Sequence, residues 1–180
     1  MISVLSALVA ITTALSSASI AAAKQPRITS AYTKLDWERC KIVRTGQGKH
    51  PSEDWEFRRC DGYAAIPIFW TYDNGRDDID AGVENDAGFI SGPMHSLGQT
   101  LEWRLADGKA FAIIYRVESH PAGVDHKTWS RLIVATVGEP GKAGCPIAKF
   151  DGLKPYANLA ARRAADALLK GKARCIKFDE

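Results

Sequence analysis

The residues with the most chemistry to offer lie close together, in Glu118-Ser119-His120-Pro121-Ala122-Gly123-Val124-Asp125-His126. His120, His126 and Asp125 are two imidazoles and a carboxylate, the donor types a transition metal takes, and Glu118 is a further oxygen donor nearby. With one coordination position left open, such a set would make the chain a metal-assisted hydrolase. The spacing argues against it. Useful ligand pairs fall at i, i+2 on a strand or i, i+4 on a helix, and His-x5-His matches neither. An ordinary surface loop rich in Pro and Gly accounts for these residues, so the expectation is no bound metal and no cofactor.

Other chemistry-bearing residues are more scattered. Asp73, Asp77, Asp78 and Asp80 sit in Asp73-Asn74-Gly75-Arg76-Asp77-Asp78-Ile79-Asp80 and offer hard oxygens to calcium, but the order lacks the spacing and distal Glu of a calcium loop. A charged turn beside an edge strand explains them, since charge there discourages aggregation. His95 and Glu102 are an acid and a base in type, yet Glu102 falls on the polar face of an alternating strand. Ser91, Ser96, Ser119 and Ser130 lie near histidines, but Gly88-Phe89-Ile90-Ser91-Gly92 places its serine one position off the nucleophile elbow. No Gly-rich loop opens a helix, so no nucleotide cofactor is indicated. No catalytic set emerges.

The elements that would position these residues are easier to read. Four cysteines occur, Cys40, Cys60, Cys145 and Cys175. Without a C-x-x-C pair, two disulfides in an oxidising compartment are their expected use. Three pairings are possible, and proximity favours Cys40 with Cys60 and Cys145 with Cys175. Trp37 to Val43 and Trp55 to Cys60 read as two strands joined by a turn-rich loop. Ala65 to Tyr72 is a strand that Pro67 places at an edge or makes start late. Asn74-Gly75 and Asp107-Gly108 are hairpin turns. Between them Leu101, Trp103 and Leu105 alternate with Thr100, Glu102 and Arg104, as in a half-buried strand. Ala110 to Val117 and Leu132 to Val137 are apolar on both faces, as central strands are, and a shorter strand follows from Cys145 to Phe150. A helix runs between Pro155 and Gly171, with Ala157, Ala160, Ala161, Ala164, Ala165, Leu168 and Leu169 on one side. Asn158, Arg162, Arg163, Asp166 and Lys170 take the other side, with Arg162 and Asp166 at i, i+4. The expected fold is α+β: an antiparallel sheet of about five to seven strands with one C-terminal helix packed on it.

Composition sets the remaining bounds. Met1–Ala23 has no charged residue and ends in Ala21-x-Ala23, which reads as a signal peptide before one disulfide-stabilised domain over residues 24–180. Its apolar core, Val4 to Ile11, is too short to span a bilayer, so no membrane span is expected after processing. The formal charge of +3 is mild and mixed along the chain, which argues against nucleic acid, with Arg58-Arg59 and Arg162-Arg163 read as solvated pairs. All five tryptophans are expected in the core, and Trp129 is the one placed to face a ligand.

Tyr32-Thr33-Lys34-Leu35-Asp36, Cys60-Asp61-Gly62-Tyr63 running into Ile66-Pro67, and Leu97-Gly98-Gln99-Thr100-Leu101-Glu102-Trp103-Arg104 resemble a family of uncharacterised secreted proteins of Gram-negative bacteria. The likeness continues to Cys145 and to the helix with Asn158 and Arg162. It departs at Arg58, where relatives carry tryptophan. The resemblance implies a periplasmic address and two disulfides, and it carries no activity. The functional expectation is a secreted or periplasmic, non-enzymatic binding or structural module. Its partner would be an envelope protein, a polymer or a small ligand. The metal-assisted hydrolase and an inhibitor of an envelope-degrading enzyme are the alternatives.

Overall fold

The structure, a computed structural model, describes residues 24–46, 55–85, 94–119 and 128–177. The signal peptide expected at Met1–Ala23 lies outside them. The strands are β1 (Ile28–Lys34), β2 (Lys41–Gly46), β3 (Trp55–Asp61), β4 (Pro67–Asp73), β5 (Arg76–Ala81), β6 (His95–Leu97), β7 (Thr100–Ala106), β8 (Lys109–Ser119), β9 (Ser130–Thr136) and β10 (Pro146–Asp151). One helix, α1 (Ala157–Asp166), ends in a tighter turn, Ala167–Lys170, that stops at Gly171.

Strand β8 organises the sheet. One edge pairs antiparallel with β9, and the other takes β7 and then β6 end to end, with the Gly98 N–H bonded to the Arg116 carbonyl between them. The sheet continues β6-β5-β4-β3-β2 on one side, while β1 flanks β7 and β10 flanks β9. Both expected hairpin turns form with positive φ at both central residues, Asn74 (49°) with Gly75 (73°) and Asp107 (49°) with Gly108 (84°). Pro67 opens β4, where its missing N–H costs no ladder bond.

Both faces of β8 are buried. Ile113, Tyr115 and Val117 join Leu101, Trp103, Ile133, Ile68, Trp70 and Ile79 in one core, so the sheet curls until β4 and β5 pack against β7, β8 and β9. Ala112 and Ile114 join Leu132, Val134 and Ile147 in a second core beneath Ala157, Ala161 and Ala165 of α1. Alanine at every fourth position lets the helix backbone approach the sheet closely. Cys40–Cys60 closes β2 against β3 and Cys145–Cys175 ties the chain after α1 to the start of β10, the pairing that proximity favours.

The sheet departs from the expectation in two ways: among the described residues it has ten strands rather than five to seven, and it is mixed rather than antiparallel. The three strands missed have weak local signals. β1 is a polar edge strand, and β6 is three residues long. β5, read as a charged turn, is an interior strand whose carboxylates are bonded: Asp77 accepts the Trp70 indole N–H at 2.9 Å and Asp78 the Tyr115 hydroxyl at 2.8 Å. The parallel element is the pairing of β5 with β6 at Arg76 and His95. Trp103 and Trp70 are buried, and Trp37 and Trp129 pack against the first core. Trp55 departs from the core expectation at 39% exposure.

Candidate functional site

His120, Asp125 and His126 lie outside the described residues, as does Ser91. Among the described residues there is no group of three metal-ligating side chains. Glu118, at the exposed end of β8, sits 3.9 Å from Arg116. Ser119 Oγ accepts the Trp129 N–H at 2.9 Å and Ser130 Oγ accepts from Arg116 at 2.6 Å, so both serve to hold the chain.

The structure does not bring His95 and Glu102 into one site. His95, only 1% exposed, packs on Trp129 with ring centres 5.9 Å apart, and its Nε2 lies 3.0 Å from the Asp77 carbonyl. Glu102 lies on β7 facing α1, and the polar-face reading of this strand is overturned: Glu102 and Arg104 are buried, like their apolar neighbours. What compensates them is the helix. Arg162 donates to both Glu102 oxygens, at 2.7 and 3.1 Å, and Arg104 donates to both Asp166 oxygens at 2.8 Å. Ser30 bridges the two pairs, donating to Glu102 at 2.6 Å and accepting from Arg104 at 2.5 Å. The Glu102 carboxylate holds the Arg162 guanidinium in its charged form. Arg162 and Asp166 therefore bind β7 rather than each other. Arg58, also read as solvated, lies over the Trp37 ring at 4.0 Å and donates to its carbonyl.

Among the described residues, an open cleft of about 860 Å³ lies within the usual range for small-molecule sites. Five stretches of chain line it. Ala64 to Pro67 form one wall, Ala106 and Lys109 to Phe111 another, and Gly82, Val137 to Pro140 and Leu169 complete it. The first wall is held in an uncommon backbone, with Ala64 at φ 48° and Ala65 at φ 65°. Left-handed alanine costs about 1–2 kcal/mol per residue, so surrounding contacts must impose it. Tyr63 supplies two of them: its ring lies 6.2 Å from that of Trp103 and its hydroxyl donates to the Gly108 carbonyl at 3.3 Å.

Apart from Lys109 and Glu139, the side chains lining the cleft are uncharged and mostly apolar. Those two face each other at 3.7 Å, largely in solvent. Among the described lining residues there is no Ser, Cys or His, and the surface they offer is mainly apolar. Sequence reasoning missed this cleft because its walls come from five separated stretches with no shared spacing. The one local hint is Gly62-Tyr63-Ala64-Ala65 ahead of Pro67, a turn without the usual turn residues at its centre.

No family model, curated protein or solved structure matches the chain. The class that fold and site define is a disulfide-braced, curled mixed sheet with one helix and an apolar cleft. No helix among the described residues is long and apolar enough to cross a membrane.

Proposed function

We propose that this protein is a secreted or periplasmic binding module without catalytic activity, and that its cleft takes a small apolar or amphiphilic ligand. The observation that carries the reading is the cleft itself: about 860 Å³, apolar in lining, with one wall in a left-handed backbone that tertiary contacts hold in place. Apolar lining favours a ligand by removing its surface from water, at about 0.8 kcal/mol per buried methylene. The secreted address rests on the two closed disulfides, which persist in oxidising compartments, and on the character of the segment before Lys24.

The test is titration of the purified chain with an environment-sensitive apolar dye and its displacement by fatty acids and other amphiphiles. Leu169 is 40% exposed at the cleft wall, so Leu169→Asp leaves the fold intact and puts a carboxylate into the apolar lining. Binding should weaken tenfold or more, the equivalent of about 1.4 kcal/mol. Ala106→Phe, which fills the cleft from the end of β7, should do the same. Dye binding unchanged in both variants, or no binding below about 100 μM, a standard-state affinity of about 5.5 kcal/mol, would overturn the reading.

A further inference from the structure

The two disulfides occupy different surroundings. Cys40 and Cys60 are each 8% exposed and belong to the first core. They form the floor of a shallow dent ringed by Lys34, Asp36, Arg39 and Asp61. Cys60 is also embedded in β3, paired with Ile68 of β4, and the two Cα atoms stand 4.4 Å apart. Were a reductant to open this bridge, the freed protein thiolate would stay beside the mixed disulfide, attack it and expel the reductant's thiolate, closing the bridge again. Cys145–Cys175 is different. Cys175 is exposed and Cys145 half-buried. Cys175 belongs to the stretch after Gly171, which the backbone holds through two bonds, Lys172 N–H to the Ala167 carbonyl and Ile176 N–H to the Pro146 carbonyl. The second bond lies at the outer edge of β10, where this stretch acts as a strap.

We propose that Cys145–Cys175 is a reducible strap, opened by a dithiol reductant while Cys40–Cys60 stays closed, and that its opening lifts residues 171–177 off β10. The reductant's thiolate attacks the exposed Cys175 Sγ, forming a mixed disulfide and expelling the Cys145 thiolate, which takes up a proton. The reductant's second thiol then attacks its own sulfur in the mixed disulfide and releases Cys175 as a thiol. The reductant leaves as a disulfide, having given two electrons and two protons to the protein. The geometry favours Cys145 as the leaving group, because the Thr136 hydroxyl lies 3.7 Å from its Sγ and can donate to the departing thiolate. Once free, Cys175 diffuses away with its stretch of chain, so reclosure carries an entropic cost that Cys40–Cys60 does not face. Helix α1 stays docked through Ala157, Ala161 and Ala165 and through the Glu102–Arg162 and Arg104–Asp166 pairs. Opening therefore exposes the edge of β10 without unfolding the sheet.

The test uses the full chain, oxidised and folded, treated with dithiothreitol without denaturant. Aliquots are alkylated with iodoacetamide and mapped by mass spectrometry, in parallel with amide hydrogen exchange. Cys145 and Cys175 should label at least tenfold faster than Cys40 and Cys60. Exchange in residues 171–177 should accelerate while amides 160–165 keep their protection. Cys175→Ser should remain folded by near-ultraviolet circular dichroism and reproduce the same local exchange. Labelling of all four cysteines together, Cys40 and Cys60 reacting first, an unchanged 171–177 stretch after reduction, or an unfolded Cys175→Ser chain would each overturn the proposal.

Discussion

Replacing Asp166 by alanine sets two physical effects against each other. Asp166 closes α1, where the negative end of the helix dipole disfavours a carboxylate, and alanine is the better helix former. In an isolated helix the change would stabilise by about 0.5–1 kcal/mol. The tertiary setting reverses the sign. Asp166 accepts three hydrogen bonds from Arg104, at 3.0, 2.8 and 2.8 Å. The Arg104 side chain is 9% exposed, against 28% for Asp166. Without Asp166, Arg104 keeps Ser30 and a Glu102 oxygen 3.8 Å away that is already engaged by Arg162. Removing one partner of a fully buried ion pair costs about 3–5 kcal/mol. Water reaching the guanidinium through the exposed part of the site lowers that to about 2–3 kcal/mol. Set against the helix gain, the net loss is about 1–2.5 kcal/mol, or a fall in Tm of about 2–10 °C for a chain of this size. Urea unfolding followed by tryptophan fluorescence, with both disulfides intact, measures it. A cycle with Arg104→Met and the double variant should give a coupling of at least about 1 kcal/mol. An unchanged or raised midpoint for Asp166→Ala would show that helix propensity prevails and that the buried pair does not hold α1 to the sheet.

Three further perturbations probe other parts of the structure. Ala161 is fully buried against the second core, so Ala161→Leu should cost about 2–3 kcal/mol by pushing α1 off the sheet, read as a lower urea midpoint. Burial first, then the Asp78 charge and hydrogen bond and the Asp80 charge, raise the Tyr115 pKa well above the ordinary tyrosine value. The folded state therefore keeps a proton that the unfolded chain releases near pH 10. That stabilisation is complete below pH 10 and is lost above it at about 1.4 kcal/mol per pH unit. Tyr115→Phe should flatten this alkaline slope in unfolding titrations from pH 8 to 12, and a slope unchanged in the variant would assign it to other groups. Gly82 has φ +85° and a methyl there would run into the Gly138 carbonyl, so Gly82→Ala should cost about 2–3 kcal/mol. A stability within 0.5 kcal/mol of the parent, the usual range for an innocuous surface change, would mean that the contact between the ends of β5 and β9 relaxes freely.

How much was legible in the sequence depends on the range over which each signal acts. Alternation in Leu101, Trp103 and Leu105, the two-sided apolar run of β8, the Asn-Gly and Asp-Gly turns and the alanine spacing of α1 are local features, and each produced the element its period implies. The cysteine pairing was readable for the same reason, since chain proximity favours the partners 20 and 30 residues apart that the structure joins. The charged residues were not readable. Glu102 looks like a solvent-facing residue until Arg162, 60 positions away, is laid over it, and Asp78 reads as a turn residue until Tyr115, 37 positions away, donates to it. The strands β1, β5 and β6 escaped for that reason too, because what makes them strands is a neighbour's backbone or a distant donor rather than their own apolar pattern. The cleft is the extreme case, with walls drawn from five stretches between Ala64 and Leu169. Hydrophobic period and turn chemistry act over a few residues and so are written along the chain. Compensation of charge and the shape of a concave surface exist only between segments, and tertiary packing decided both.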